Sequence, residues 1–432
     1  MSETVKTMAA QPATDTTPTI GAWPLVRLRS GYLQLVVDPT TIYVYDRRGR
    51  LLRAALDGHA FQVSLDNRVL EKWNEVGGAG VAAEAGVGTG LPWRRRRLLD
   101  PASAFELREK AREAATVCRR HAESLTVVAE TGEGRLAAEE WLARAAAYDE
   151  MRWQADAAAF ARVYSPISIL PPDQYGSLVL QATLGCSYNR CTFCSFYRDR
   201  TFRIRCPEEF QHHVSAVQEL VGEGITNFSQ IFLADANALV VPQRLLVPIM
   251  EIGRQALPQE ANPGIYSFLD VFGGLHKKAA DFAELGALGL QMVYLGIESG
   301  NRDLLRFLNK PGGPVDTGAV VRAIKEGGVA VGLIFLVGAG GRPFRDRHLA
   351  DTLKLLAGLP LDSRDLIYLS PFVEEDDSKY AEVAREEGVE PLNENEILTE
   401  VRRLWKGIQD IKWPAGRGDP RVTLYDIREF IY

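Results

Sequence analysis

The sequence predicts an α/β protein: a partial (β/α)6 barrel, preceded by an N-terminal α+β domain and followed by a helical C-terminal tail. Three observations predict it. From Leu178 onward, short continuous apolar runs alternate with amphipathic helical patterns, as strands of a parallel sheet buried on both faces require. There are six such units, fewer than a closed eightfold barrel needs. Before Pro166 the rhythm differs, with β-prone runs separated by turn dipeptides.

Residues 1–22 are rich in Thr, Pro and Ala and are expected to be disordered. They lack a basic region followed by an apolar stretch and do not read as a signal peptide. The N-terminal domain is placed at 23–165. Its runs LQLVV, TIYVY, RLLRAAL and AFQVSL are punctuated by Asp38-Pro39, Arg48-Gly49, Asp57-Gly58 and Asp66-Asn67, the pattern of a small antiparallel meander. The glycine-rich stretch Gly77–Gly90 has no strand–helix frame and reads as a loop, not a phosphate cradle. Arg94–Arg97 reads as an exposed basic run that could dock an acidic partner. Asp100-Pro101 opens a helix through about His121, with Cys118 on its apolar side, and one Ala-rich helix is expected over Arg135–Val163.

The barrel is placed at 166–375. Its strands are predicted near Leu178–Ala182, Gln230–Leu233, Ile265–Leu269, Met292–Ile297, Val329–Val337 and Leu366–Leu369. A helix begins at Pro207 and carries Phe210, Val214, Val217 and Val221 on one face; another, 316–326, stops at Gly327-Gly328. Residues 376–432 form the extension, a charged helix over about 378–411 and a final segment VTLYDIREFIY.

The net charge of −6 argues against nucleic-acid binding as the main task. The longest nearly apolar run, Val329–Gly341, is well short of the ~18 residues of a membrane span. Only five cysteines occur, too few for a disulfide framework, which points to a reducing, cytoplasmic setting.

Three of the five, Cys186, Cys191 and Cys194, fall in the run GCSYNRCTFCSF directly after the first barrel strand. Sites in parallel α/β folds form at the carboxyl ends of strands. Three thiolates can hold three corners of a [4Fe–4S] cube and leave one iron open, whereas a cluster normally takes four cysteines. A zinc knuckle would want four ligands in paired sets, and no second C-x2-C or H-x3-H is present. An electron-transfer cluster would need a fourth cysteine, for which Cys206 is the near candidate.

The C-x4-C-x2-C motif and its position resemble the radical S-adenosylmethionine (SAM) superfamily, and the strand end YLGIESG resembles the ribose-binding strand of its Elongator/methylthiotransferase/coproporphyrinogen-oxidase branch; the resemblance covers roughly Ser177–Phe372. The commonest spacing there is C-x3-C-x2-C, so the first gap here is one residue longer. The resemblance implies a radical-SAM-type barrel, a [4Fe–4S] cluster on the three cysteines and SAM on the open iron. It implies reductive cleavage of SAM to a 5′-deoxyadenosyl radical that takes hydrogen from a substrate, here expected to be a small molecule. A flavodoxin or ferredoxin would supply the electron.

The resemblance also implies site residues. Phe193 matches the aromatic beside the cluster. Asp235, with Asn237, stands where the SAM amino group is received. Ser267, with Asp270, ends the third strand as a polar contact. Glu298, in YLGIESG, stands where a carboxylate accepts the ribose hydroxyls. Gly338 and Gly340 fall where the backbone approaches adenine. Arg198, Arg200, Arg203 and Arg205 are candidates for a carboxylate or phosphate, or for a solvated loop. Cys206 is a candidate hydrogen-atom donor or a structural residue. The N-terminal segment or the C-terminal tail is a candidate lid. Two other functions stay open: a SAM-consuming group transferase acting on RNA, and a non-enzymatic iron–sulfur carrier or redox sensor.

Overall fold

A computed structural model describes residues 24–29, 31–73, 95–129, 134–258, 263–374, 378–413, 416 and 418–432. Residues 1–22, the stretch Gly77–Gly90 and Arg94 lie outside them.

The N-terminal unit is a larger sheet than the meander read from the sequence. Strands β1 (Leu25–Leu28), β2 (Tyr32–Asp38), β3 (Thr41–Asp46), β4 (Leu51–Leu56), β5 (His59–Val63), β6 (Val69–Trp73) and β7 (Arg95–Leu98) pair in sequence order as antiparallel neighbours. β8 (Thr126–Ala129) adds in parallel to β1. The sheet buries Leu33, Leu35, Tyr43 and Tyr45 against Leu107, Ala111, Ala115 and Cys118 of helix Pro101–Arg120. Asp100 caps that helix by accepting from the Ala102 and Ser103 N–H groups, and Pro101 supplies the preset φ. The single helix expected over Arg135–Val163 is two, Arg135–Ala146 and Glu150–Val163. Asp149 interrupts the run by accepting from the Arg152 N–H and so starting a new helix.

In the run read as Arg94–Arg97, Arg95 and Arg97 are exposed as expected, and Arg96 is the exception. Arg95–Arg97 lie in β7 rather than in an open basic loop. Arg96 is buried and pairs with Asp426 at 2.7 Å and Glu429 at 3.1 Å, while Arg97 pairs with Glu71. Arg96 thereby ties the N-terminal sheet to the end of the chain.

The second unit is an open parallel sheet in the order β17-β16-β15-β14-β13-β12-β9. Its strands are β9 (Leu178–Gln181), β12 (Gln230–Ala234), β13 (Gly264–Leu269), β14 (Leu290–Glu298), β15 (Ala330–Val337), β16 (Leu366–Pro371) and β17 (Arg421–Leu424). The first six are those the apolar runs predicted. The seventh comes from the final segment, so the tail is not wholly helical: β17 pairs in parallel with β16. Helix Glu394–Gln409 buries Val401, Leu404 and Ile408 in the same core. Among the described residues β9 and β17 do not pair, and no closed barrel forms.

Helix Pro207–Val221 shows how local sequence sets the frame. Pro207 opens it, Glu209 accepts from the Cys206 N–H at 3.1 Å, and Phe210, Val214, Val217 and Val221 are buried. No helix among the described residues is long and apolar enough to cross a membrane.

Candidate active site

After β9 the chain makes a short antiparallel pair, β10 (Thr183–Leu184) with β11 (Arg203–Ile204), and the cysteine loop hangs between them. Gly185 starts the loop with φ +72°, a left-handed conformation open to glycine, and a Cβ there would meet the Arg200 side chain at 3.2 Å. The loop is fixed on several sides. Arg198 donates to the carbonyls of Cys191 (2.9 Å) and Cys194 (3.0 Å). Asn189 Nδ2 donates to the Tyr197 carbonyl at 2.7 Å, and the Asn189 N–H points at Cys186 Sγ, 3.4 Å away. Thr192 N–H donates to the Leu308 carbonyl at 3.0 Å, and Asn309 Nδ2 to the Arg190 carbonyl at 2.8 Å.

All three cysteines line one cavity of about 200 Å³ at the carboxyl ends of the strands. The walls are mostly apolar, including Ile169, Phe268, Leu336 and Phe372. Among the described residues the lining begins at Ile169, so the N-terminal unit contributes none of it, whereas Tyr425 and Ile427 of the tail do. Burial pushes the Cys191 thiol up to about 12 and the Cys194 thiol up to about 11. Both are therefore protonated at neutral pH, and a metal that binds them must displace protons.

The charged centre of the cavity is an ion pair. Glu298 ends β14 across a bulge, where Gly296 pairs with Ile334 and Glu298 with Phe335, leaving Ile297 as the extra residue. Glu298 has φ +61°, a costly conformation for a side chain of its size. Lys310 Nζ lies 2.9 Å from Glu298 Oε1, with both side chains nearly buried. A Cβ on Gly296 would fall 2.6 Å from Glu298 Oε1 and 3.1 Å from Lys310 Nζ, so glycine makes room for the pair. Burial works against the Lys310 ammonium, but the Glu298 carboxylate outweighs it and holds the pKa well above the usual lysine value. Lys310 was not legible as a site residue: it follows a short helix, twelve positions after Glu298.

Phe193, Asn237 and Glu298 join the cysteines at the cavity, and so does Asp270. Asn237 donates to Ser187 Oγ at 3.0 Å and to Asp270, and accepts from the Asp270 N–H at 3.0 Å, which joins β12, β13 and the cysteine loop. The other expected residues fall outside the lining. The Ser267 hydroxyl is spent on the Leu233 carbonyl at 2.7 Å, across the sheet. Gly338 and Gly340 serve packing: a Cβ would meet Ile397 at 2.8 Å and Phe344 at 2.4 Å, respectively. Asp235 is buried beneath the cysteine loop, where it accepts from the Gly185 N–H at 3.1 Å and faces Arg200 at 3.4 Å. The four arginines after the cluster motif also have protein partners. Besides Arg198 and Arg200, Arg203 pairs with Glu209 at 2.7 Å and Arg205 donates to the Gln181 carbonyl at 3.2 Å.

Asp235 carries a pH prediction. Burial raises its carboxyl from 3.8 to about 7, with the Arg200 guanidinium and the Gly185 N–H pulling the other way. The folded chain binds this proton more tightly than the unfolded one. The associated stability is therefore complete below pH 3.8 and is lost as pH rises to about 7, on the order of 4 kcal/mol over that window. Asp235→Asn keeps an acceptor for Gly185 and is expected to flatten that part of the stability curve. Urea unfolding across the window measures it; an unchanged slope in the variant counts against the assignment.

The donor set suits a multi-iron cluster with one open corner. Three thiols surround one cavity, and no fourth cysteine lines it. Cys206 starts helix Pro207–Val221, outside the lining, and Cys118 is buried in the N-terminal unit. Among the described residues, no three His, Cys, Asp or Glu side chains gather as a single-ion site would require.

The family model described as Radical SAM superfamily matches residues 180–356. No curated protein sequence matches the chain. Among solved structures, the chain is similar to methylornithine synthase at 17% identity and a TM-score of 0.38, covering 57% of this chain and 70% of that one. It is similar to coproporphyrinogen III oxidase from Escherichia coli at 15% identity and a TM-score of 0.38, covering 54% of this chain and 52% of that one. A third, HydG, a maturase of the [FeFe]-hydrogenase, shows 12% identity, a TM-score of 0.38 and coverage of 74% and 70%. The matched segment contains the cysteine loop, β12 to β15 and the Glu298–Lys310 pair; residues 180–356 are a domain of the radical SAM superfamily, whose enzymes use a [4Fe–4S] cluster and SAM.

Proposed function

We propose that Cys186, Cys191 and Cys194 hold the [4Fe–4S] cluster and that SAM takes the remaining iron, in an enzyme acting on a small-molecule substrate. The observation that carries this reading is the convergence of the three thiols on a cavity with no fourth cysteine in its wall. When bound, the cluster and SAM supply a 5′-deoxyadenosyl radical that removes hydrogen from the substrate.

The chain's own residues prepare the site. Arg198 and Asn189 hold the loop before the metal arrives, so little ordering remains to be done on binding. The Asn189 N–H donates to the Cys186 sulfur and helps fix its position. Lys310 lies 2.9 Å from Glu298, and a carboxylate there is the acceptor that a pair of ribose hydroxyls needs. Phe193 packs beside the cluster, and Asn237 orients the polar edge. The apolar walls exclude water, which protects a reactive radical. A flavodoxin or ferredoxin serves as the outside reductant.

The test is anaerobic reconstitution with iron and sulfide, followed by SAM and dithionite. The expected products are 5′-deoxyadenosine and methionine. Protein that loads only zinc, or a cluster that leaves SAM intact, overturns the reading.

A further inference from the structure

Tyr425 follows β17 and forms part of the cavity wall. The residue is 1% exposed, and its hydroxyl has no hydrogen-bond partner among the described residues. An unmet buried hydroxyl costs about 1–3 kcal/mol, and nothing in the packing requires it, since phenylalanine would fill the same volume.

Tyr197 lines the same cavity, while two further phenols are committed elsewhere. The Tyr368 ring lies 5.5 Å from Tyr425, centroid to centroid, and Tyr294 lies 6.3 Å beyond Tyr368. Both donate their hydroxyls to Asp173, Tyr294 at 2.5 Å. Tyr175 also has an unpartnered hydroxyl, but its ring packs on Phe430 outside the cavity lining. Cys206 lies outside the lining as well. Tyr425 thus lines the cavity and carries a phenolic hydrogen for which the described residues hold no acceptor.

We propose that Tyr425 is a hydrogen-atom donor to a carbon-centred radical formed in the cavity, an assignment that rests on the radical SAM reading of the site. The phenolic O–H bond is weaker than an unactivated C–H bond, so the transfer runs downhill. The Tyr425 O–H breaks, a C–H bond forms on the radical carbon, and the unpaired electron remains as a phenoxyl on Tyr425. One electron from the external one-electron reductant and one proton from solvent restore the phenol.

The experiment needs no knowledge of the substrate. Reconstituted enzyme prepared in D2O is given SAM and dithionite alone, and the 5′-deoxyadenosine is analysed by mass spectrometry. The exchangeable Tyr425 hydrogen is then deuterium, so the wild type should yield singly deuterated product. Tyr425→Phe should lose the label, and Tyr175→Phe should keep it. As a readout apart from turnover, 3-fluorotyrosine placed at position 425 should shift its 19F resonance when S-adenosylhomocysteine binds. Unlabelled product from the wild type, undiminished label in Tyr425→Phe, or an unmoved resonance overturns the assignment of Tyr425 while leaving the cluster intact. Absence of 5′-deoxyadenosine from every variant removes the cluster reading and the donor with it.

Discussion

Alanine at any one of Cys186, Cys191 or Cys194 is expected to remove the iron–sulfur absorbance and to lower 5′-deoxyadenosine formation by more than roughly 100-fold. Loss of an outer partner of a metal ligand already costs 10–100-fold, and a missing thiolate removes a metal bond outright. The fold should survive, because the loop is also tied by Arg198, Asn189 and Asn309, none of which needs the sulfur side chains of Cys191 or Cys194. Circular dichroism should therefore match the wild type while iron content falls. Cys206→Ala and Cys118→Ala provide the contrast, since neither side chain lines the cavity, and both should retain iron. Full iron content and turnover in Cys194→Ala would falsify the assignment, as would loss of iron in Cys206→Ala.

The second large effect concerns the buried pair. Lys310→Met leaves Glu298 nearly buried without its cation, and breaking one side of such a pair costs about 3–5 kcal/mol. Glu298→Gln with Lys310 intact strands an ammonium instead, with a similar loss. The double variant Glu298→Gln/Lys310→Met removes both charges and should recover most of the stability, since apolar replacement of a buried pair is often neutral. Chemical denaturation of the four proteins closes the cycle. SAM binding separates stability from function: the double variant should fold yet bind SAM weakly, because position 298 no longer offers a carboxylate to the ribose hydroxyls. A double variant whose loss equals the sum of the two single losses would show that the two side chains are not coupled.

How much was legible follows from the range of each signal. The six strands were readable because a strand buried on both faces must be apolar throughout, and that demand is local. The cysteine motif was readable for the same reason: nine consecutive residues contain all three thiols that line the cavity. Glu298 was found because it ends a strand, and strand ends were where the fold class placed the site. Lys310 was missed because its role depends on a contact made through the turn after a short helix, which has no period or spacing of its own. Arg96 was misread because its partners, Asp426 and Glu429, lie at the other end of the chain.

Asp235 and Ser267 show a finer limit. Alternation along a strand settles which residues are interior but not which polar group a side chain finds there. Ser267 took a neighbouring carbonyl, and Asp235 took the loop beneath the cluster motif. The sequence by itself determined the parallel α/β class, the positions of its first six strands and three thiols at a strand's carboxyl end, all consequences of local patterning. Only the tertiary structure decided which carboxylates face the cavity, that Lys310 neutralises one of them, and that β17 carries Tyr425 into the wall. Those outcomes depend on chain segments that meet only when the sheet is assembled.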